Sequence, residues 1–301
     1  MSLGPPDMVL DEWCGAIQDS PDVIQLAGGT VPVLADRSTL RCRRSACSLH
    51  ASVLGLVAMS LAFVRPLSGQ PLVAVRPWPP VATFSILGYD PATGEAGAAV
   101  QSRVFSVGNG VLWAEAGVGV VATQAIVDVS YGPQALALLR AGMSPQEVVT
   151  RIWTDDPDPI PDRWTKQGRQ FSVMNARGEV ATYTGPRAST WAGHVIGTYC
   201  SAQGNILAGE AVVRNMVSAF EQTTGHLSRR LLAALEAGQA AGGDTRGMQS
   251  AAMLIVKKDG GVWLHNDVVV RLQVDDNPEP IRELRRLVER AAAQRESRGP
   301  R

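Results

Sequence analysis

The stretch Val81-Ala82-Thr83-Phe84-Ser85-Ile86-Leu87-Gly88-Tyr89-Asp90 and its return arm, residues 95–103, constrain the fold more than any other part of the chain. Thr, Phe, Ile and Tyr favour a pleated, half-buried surface, so Thr83 opens a strand. Asp90-Pro91-Ala92-Thr93-Gly94-Glu95 is a turn, because Pro fixes one dihedral and Gly permits a positive φ. A small apolar run over 96–102 follows at once, which predicts a β-hairpin. Pairing Asp90 with Glu95 across the turn sets Thr83 opposite Ser102, with Arg103 one step beyond. A candidate hydroxyl nucleophile, a second hydroxyl and a cation then meet at one end of a sheet. The chemistry is expected there.

Upstream of Thr83 the sequence changes character. Residues 1–40 have no sustained periodicity and little that would form a core, which is the composition of disorder or of a start codon placed too early. Arg41, Arg43 and Arg44 then precede an uncharged run over 51–64. A basic flank and an apolar run of that length resemble the first two regions of a signal peptide, and the run is short for a membrane span. Ala82 suits the last position before a cleavage site, whereas Pro80 two residues earlier fits poorly. The expected organisation is a leader over 1–82, one domain over 83–295 and a tail over 296–301. Export to the periplasm or medium follows if 41–82 is a signal peptide, and a cytoplasmic location otherwise.

Composition narrows the function. Lys+Arg and Asp+Glu balance at 28 each, so no net field argues for nucleic acid or an anionic membrane surface. Aromatic residues are only 5% of the chain, which argues against a stacking platform for single strands. Cys14, Cys42 and Cys47 precede the body and Cys200 alone lies within it, so the body has no internal disulfide. Neither the cysteines nor the histidines show metal-ligand spacing, and no cofactor is expected.

Beyond the hairpin, 111–114 and 117–124 read as strands. Gly132-Pro133 starts a helix to about 141, with Pro at its first position. Ser144 and Glu147 form a capping box that opens a second helix to about 153, and the Pro-rich 155–164 is a loop. A hairpin joins 171–175 to 180–183, and 202–207 is a short strand. Apolar residues at helical spacing predict helices over 210–223 and 227–240. A Gly-rich loop over 242–249 leads into a strand at 250–257, then strands at 262–264 and 268–272 and a helix over 278–293. Asp275 and Asp276 are read as a cap for that last helix in preference to a cation site. This order fits an α+β fold, a four-layer αββα sandwich of two antiparallel sheets.

Five segments together carry a resemblance: Thr83-Phe84-Ser85-Ile86, Gly117-Val118-Gly119-Val120-Val121-Ala122-Thr123-Gln124, Trp191-Ala192-Gly193-His194, Gln203-Gly204-Asn205-Ile206-Leu207, and Gly238-Gln239-Ala240-Ala241-Gly242-Gly243-Asp244. They resemble domain-of-unknown-function family 1028, a bacterial family assigned to the N-terminal-nucleophile hydrolase superfamily. The resemblance runs from about residue 83 to 288 and implies the same sandwich, with an N-terminal Thr nucleophile at Thr83. Leaderless relatives begin Met-Thr-Phe-Ser-Ile, whereas here Thr83 lies deep in the translated chain.

A Thr hydroxyl needs an adjacent base, and a free α-amine on the same residue, with a pKa of about 7.7–8.0, supplies one. The candidate catalytic set is Thr83 with Ser102, Arg103, Gln124, Asn205, Asp244 and Ser250. Gln124 and Asn205 are candidate oxyanion donors. Arg103 either holds the amine pKa down or binds a substrate carboxylate. Asp244 and Ser250 flank the Gly-rich loop, and the resemblance to distant hydrolases implies that they help position the amine. The expected activity is hydrolysis of a C–N bond in a small amide or short peptide. The alternatives are a non-catalytic binding or scaffold protein on the same fold, and a proteasome-like threonine peptidase, which needs a ring. A homo-oligomer is an open expectation, and no integral membrane span is expected in the mature body.

Overall fold

The computed structural model describes residues 82–297, so the expected leader up to Val81 and the end of the tail lie outside the described residues. Strands β1 (Thr83–Asp90) and β2 (Glu95–Ser102) form the hairpin in the expected register, Asp90 opposite Glu95 and Thr83 opposite Ser102. Gly94 takes a φ of +74°, the left-handed conformation that the turn requires. β1 and β2 are central in a six-stranded antiparallel sheet ordered β10-β9-β2-β1-β8-β7. Its other members are β7 (Gly193–Gly197), β8 (Cys200–Asn205), β9 (Ser250–Val256) and β10 (Val268–Val274). The second sheet is ordered β3-β4-β5-β6 and comprises Leu112–Glu115, Gly119–Ala125, Arg169–Asn175 and Val180–Thr184.

Among the described residues there are six α-helices: α1 (Gly108–Val111), α2 (Tyr131–Arg140), α3 (Pro145–Asp155), α4 (Ala211–Gln222), α5 (Leu227–Ala240) and α6 (Pro280–Glu296). Helices α4, α5 and α6 cover the outer face of the larger sheet, where Phe84 and Ile86 pack among Met216, Phe220, Leu231, Leu235 and Leu284. Helices α2 and α3 cover the smaller sheet, where Phe171 and Val173 meet Leu136, Val148 and Ile152. The result is the αββα sandwich that the order of elements predicted. Burying an aliphatic side chain contributes about 1.5–3 kcal/mol, so these two outer layers hold the sheets in place. The capping box of α3 is complete: the Ser144 hydroxyl accepts from the Glu147 amide and the Glu147 carboxylate accepts from the Ser144 amide.

Between the sheets the packing is of two kinds. Side chains alternate across a strand, so Phe84 and Ile86 face the helices while Thr83, Ser85 and Leu87 face the smaller sheet. One end of this inner layer is apolar, with Leu87, Ala98, Val100, Val120, Ala122, Met174 and Leu254. The end at Thr83 is polar, with Ser85, Ser102, Gln124, Gln170, Gln203 and Asn205 all buried.

The structure corrects two expectations and adds one strand. Residues 262–264 are not a strand: they lie in the loop before β10, where Asp259, Trp263 and His265 all have positive φ. Residues 193–197 form β7, the edge strand paired with β8. Neither Asp275 nor Asp276 caps α6. Asp275 accepts from Ser106 and Gln273, Asp276 accepts from Gln249, and the Asn277 side chain receives the Glu279 amide just before the helix.

Candidate active site

Register brings the candidate hydroxyls together. Thr83 pairs with Ser102 on one side and Asn205 on the other, and Ser102 pairs in turn with Ser250. Directly opposed residues of adjacent strands point to the same face, so Asn205, Thr83, Ser102 and Ser250 form a row across the sheet. All four are fully buried. The Thr83 hydroxyl donates to Ser102 Oγ at 3.1 Å, and the Ser102 hydroxyl donates to the carbonyl oxygen of Ala82. Two hydroxyls thus link the candidate nucleophile to the oxygen of the peptide bond that precedes it.

The same oxygen has a second donor that sequence reasoning missed. Arg246 Nη2 donates to the Ala82 carbonyl at 2.9 Å. Asp244 fixes this guanidinium, accepting from Arg246 Nε at 3.2 Å and from Nη2 at 2.9 Å. Asp244 also accepts the backbone amides of Arg246 and Arg103. Its carboxylate is fully buried and therefore needs these partners, since an unpaired buried charge is strongly disfavoured. Asp244 thus orients Arg246 and ties the Gly-rich loop to the end of β2. The signal was the Asp-Thr-Arg spacing inside a loop that the sequence singled out for its glycines.

Arg103 is exposed and donates from Nη1 to the Arg246 carbonyl at 2.8 Å, so both arginines border the Ala82 junction. Ser250 serves the neighbouring loop: its hydroxyl donates to the Val104 carbonyl at 2.6 Å and accepts the Val107 amide at 3.1 Å.

Gln124 reaches across from the smaller sheet. Its Nε2 donates to the Thr83 carbonyl at 3.2 Å and to Gln170 Oε1 at 2.9 Å, while its Oε1 accepts from Ser85 at 2.7 Å. Both amide hydrogens are engaged, so in this arrangement Gln124 anchors the Thr83 backbone. Gln170, a second residue that the sequence reading passed over, joins the pieces. Its Oε1 also accepts from Asn205 at 3.3 Å, and its Nε2 donates to Thr184 Oγ1, to the Gly193 carbonyl and to the Gly204 carbonyl. Gln170 alternates with Ser172 and Met174 along β5, and this inward period was its only sequence signal.

His194 lies apart from this row, with its Nδ1 at 2.9 Å from Thr184 Oγ1. Desolvation lowers its pKa below the ordinary histidine value. Among the described residues no group of three His, Cys, Asp or Glu side chains is placed to hold a metal. None of their helices is long and apolar enough to cross a membrane.

Chemically, the arrangement is a hydroxyl pair and a carboxylate-fixed guanidinium converging on one carbonyl oxygen, with a second arginine beside them. Donors aimed at a carbonyl oxygen polarise it toward nucleophilic attack.

Among solved structures, a DUF1028 protein shares this architecture. No curated protein matches the chain. Protein SPO2555 from Silicibacter pomeroyi, whose crystal structure is assigned to the DUF1028 family, is 32% identical over 70% of this chain and 86% of its own, with a TM-score of 0.62. Anbu, the ancestral beta-subunit from Yersinia bercovieri, is 10% identical over 72% of this chain and 98% of its own, with a TM-score of 0.32. The family described as "Family of unknown function (DUF1028)" matches residues 83–284. The chain belongs to that family.

Proposed function

We propose that this protein is an amidohydrolase of the N-terminal-nucleophile kind, cleaving the C–N bond of a small amide or short peptide through Thr83. The observation that carries this reading is the hydroxyl pair at the Ala82–Thr83 junction, with Arg246 on the same carbonyl oxygen. While Ala82 precedes it, Thr83 is completely buried and has no free amine, so removal of the leader is a precondition. A peptidase is one route. The other is attack by Thr83 Oγ1 on the Ala82 carbonyl carbon, with its proton passing to Ser102 and the Ser102 proton to the Ala82 oxygen. As the intermediate collapses to the ester, the proton on the Ala82 oxygen passes to the Thr83 nitrogen, so the C–N bond breaks and the Thr83 amine is freed. Water then hydrolyses the ester to release a leader ending in a carboxylate.

In the mature chain the Thr83 amine takes the hydroxyl proton as Oγ1 attacks a substrate amide. It returns that proton to the departing amine, leaving an acyl ester on Thr83 that water cleaves. Ser102 and Arg246, which both donate to the Ala82 oxygen, and Asn205, opposite Thr83 in the sheet, are the side chains offered to the developing oxyanion, and Gln124 and Gln170 hold the frame. Arg103 supplies a cation for a substrate carboxylate. Asp244 and Ser250 act as positioning residues through Arg246 and the 104–107 backbone.

The test is a panel of amides and short peptides presented to purified protein that begins at Thr83. Thr83→Ser is expected to retain turnover and Thr83→Ala to abolish it, with the fold of both intact by circular dichroism. Turnover unchanged in Thr83→Ala refutes the mechanism. A second reading, a binding protein that keeps Thr83 internal, is favoured by the complete burial of Thr83 behind Ala82. It requires a stable full-length species.

A further inference from the structure

The two sheets of the sandwich differ in width, and the wider one leaves a flank uncovered. β3, the edge of the smaller sheet, lies over β2 and β9, while β10 projects beyond it. Register places Arg271 opposite Leu254 and Gln273 opposite Ala252. Ala252 and Leu254 belong to the inter-sheet layer, so Arg271 and Gln273 share that face. A cavity of about 320 Å³ opens there, walled by Leu112, Leu136, Leu254 and Trp113, with Arg271, Gln273 and Asn109 also lining it. That volume is at the lower end of small-molecule sites.

The polar groups lining this cavity are of two kinds. Gln273 and Asn109 are committed: both side chains donate to Ser106 Oγ, at 2.8 and 2.7 Å, and Gln273 also donates to Asp275. Arg271 and Trp113 are not. The Arg271 guanidinium has no ion pair or hydrogen bond among the described residues, although it faces the cavity from an exposed edge strand. The Trp113 indole nitrogen is buried with no acceptor. A buried N–H without a partner is uncommon in a native fold, because leaving it unmade forfeits about 1–3 kcal/mol. That nitrogen is closed off from the cavity, so the group left beside the apolar wall to recognise a ligand is the Arg271 guanidinium, which lacks an acceptor carrying negative charge.

We propose that this cavity is a second ligand site and that it takes a small organic carboxylate with an apolar body of roughly phenylacetate size. The carboxylate lies against Arg271, whose fork matches it bidentately. The apolar body lies on Leu112, Leu136 and Leu254. The site is distinct from the Thr83 row, since none of Asn205, Thr83, Ser102 and Ser250 lines it, and it does not depend on Thr83 being a nucleophile.

The experiment uses the full chain and 4-fluorophenylacetate, observed by fluorine NMR. Saturable binding is expected, weakened about tenfold or more in Arg271→Gln, which corresponds to about 1.4 kcal/mol. Trp113→Phe, which keeps a ring in the wall, is expected to bind like the wild type, since the indole nitrogen is closed off from the cavity. The uncharged 4-fluorophenylacetamide is expected to bind about tenfold more weakly than the acid, and Thr83→Ala to bind the acid like the wild type. Absence of saturable binding overturns the proposal. So does binding unchanged by Arg271→Gln, equal affinity for acid and amide, or loss of binding in Thr83→Ala, which would assign the ligand to the Thr83 row.

Discussion

Removing the Asp156 carboxylate is expected to destabilise the fold by several kcal/mol, because of what it leaves behind. Arg169 opens β5 with its side chain 2% exposed, and its Nε donates to Asp156 Oδ2 at 3.1 Å. The Asp156 side chain is itself fully buried and also accepts from the Tyr131 hydroxyl at 2.5 Å. Asp156→Ala leaves that guanidinium without its counter-charge, and breaking a buried pair from one side costs about 3–5 kcal/mol. Arg169 keeps its hydrogen bonds to the Ile126 and Trp164 carbonyls, which argues for the lower end, about 3 kcal/mol. For a domain of this size that is about 6–12 °C in Tm. The triple variant Asp156→Leu, Arg169→Met, Tyr131→Phe removes all three polar groups together and is expected to recover at least about 2 kcal/mol relative to Asp156→Ala. Urea denaturation followed by tryptophan fluorescence measures both. A loss below about 1 kcal/mol for the single variant, or a triple variant no better than the single, would refute the reasoning.

The same pair sets a pH dependence. Burial pushes the Asp156 carboxyl up, but the Tyr131 hydroxyl, the Asp158 amide and the Arg169 guanidinium together outweigh it and hold its pKa below the ordinary aspartate value. A depressed folded pKa contributes stability above the unfolded value, about 3.9, and that contribution fades as pH falls through the folded value. The wild type should therefore lose part of its advantage over Asp156→Ala below about pH 4, and a constant gap would contradict this. Burial, with the nearby Glu221, pushes the Cys200 thiol up to about 12, so iodoacetamide at pH 8 should leave Cys200 unmodified in the native protein and alkylate it in urea, by peptide mass mapping. Ser144→Ala should cost about 1 kcal/mol through loss of the α3 cap, read by thermal melting. Gly88→Ala should cost more than that cap, because a Cβ at Gly88 would stand 2.6 Å from the Phe220 ring.

The sandwich was legible because its informative segments are locally decisive. A Pro-Ala-Thr-Gly turn fixes the β1–β2 register, the Ser144 capping box fixes the start of α3, and apolar periodicity marks α4 and α5. β7 was missed because an edge strand bounded by Gly193 and Gly197 makes only one ladder and has little burial to imprint alternation. Val262-Trp263-Leu264 looked like a strand by residue type, but its backbone is turned at Trp263, and Trp263 and Leu264 are more than 80% exposed. In the candidate site, Thr83, Ser102 and Asn205 follow from register once the strands are known. Arg246 and Gln170 do not, because they arrive from a loop and from the opposite sheet. Local sequence carries no record of such contacts.

The account rests on Thr83 becoming the first residue of the working protein. Intact mass and N-terminal sequencing of the natively produced protein test this most directly. The expected species begins Thr83-Phe84-Ser85-Ile86, and if the junction cleaves itself, Ser102→Ala should accumulate the uncleaved chain. A stable, active species that still carries Ala82 would contradict the account.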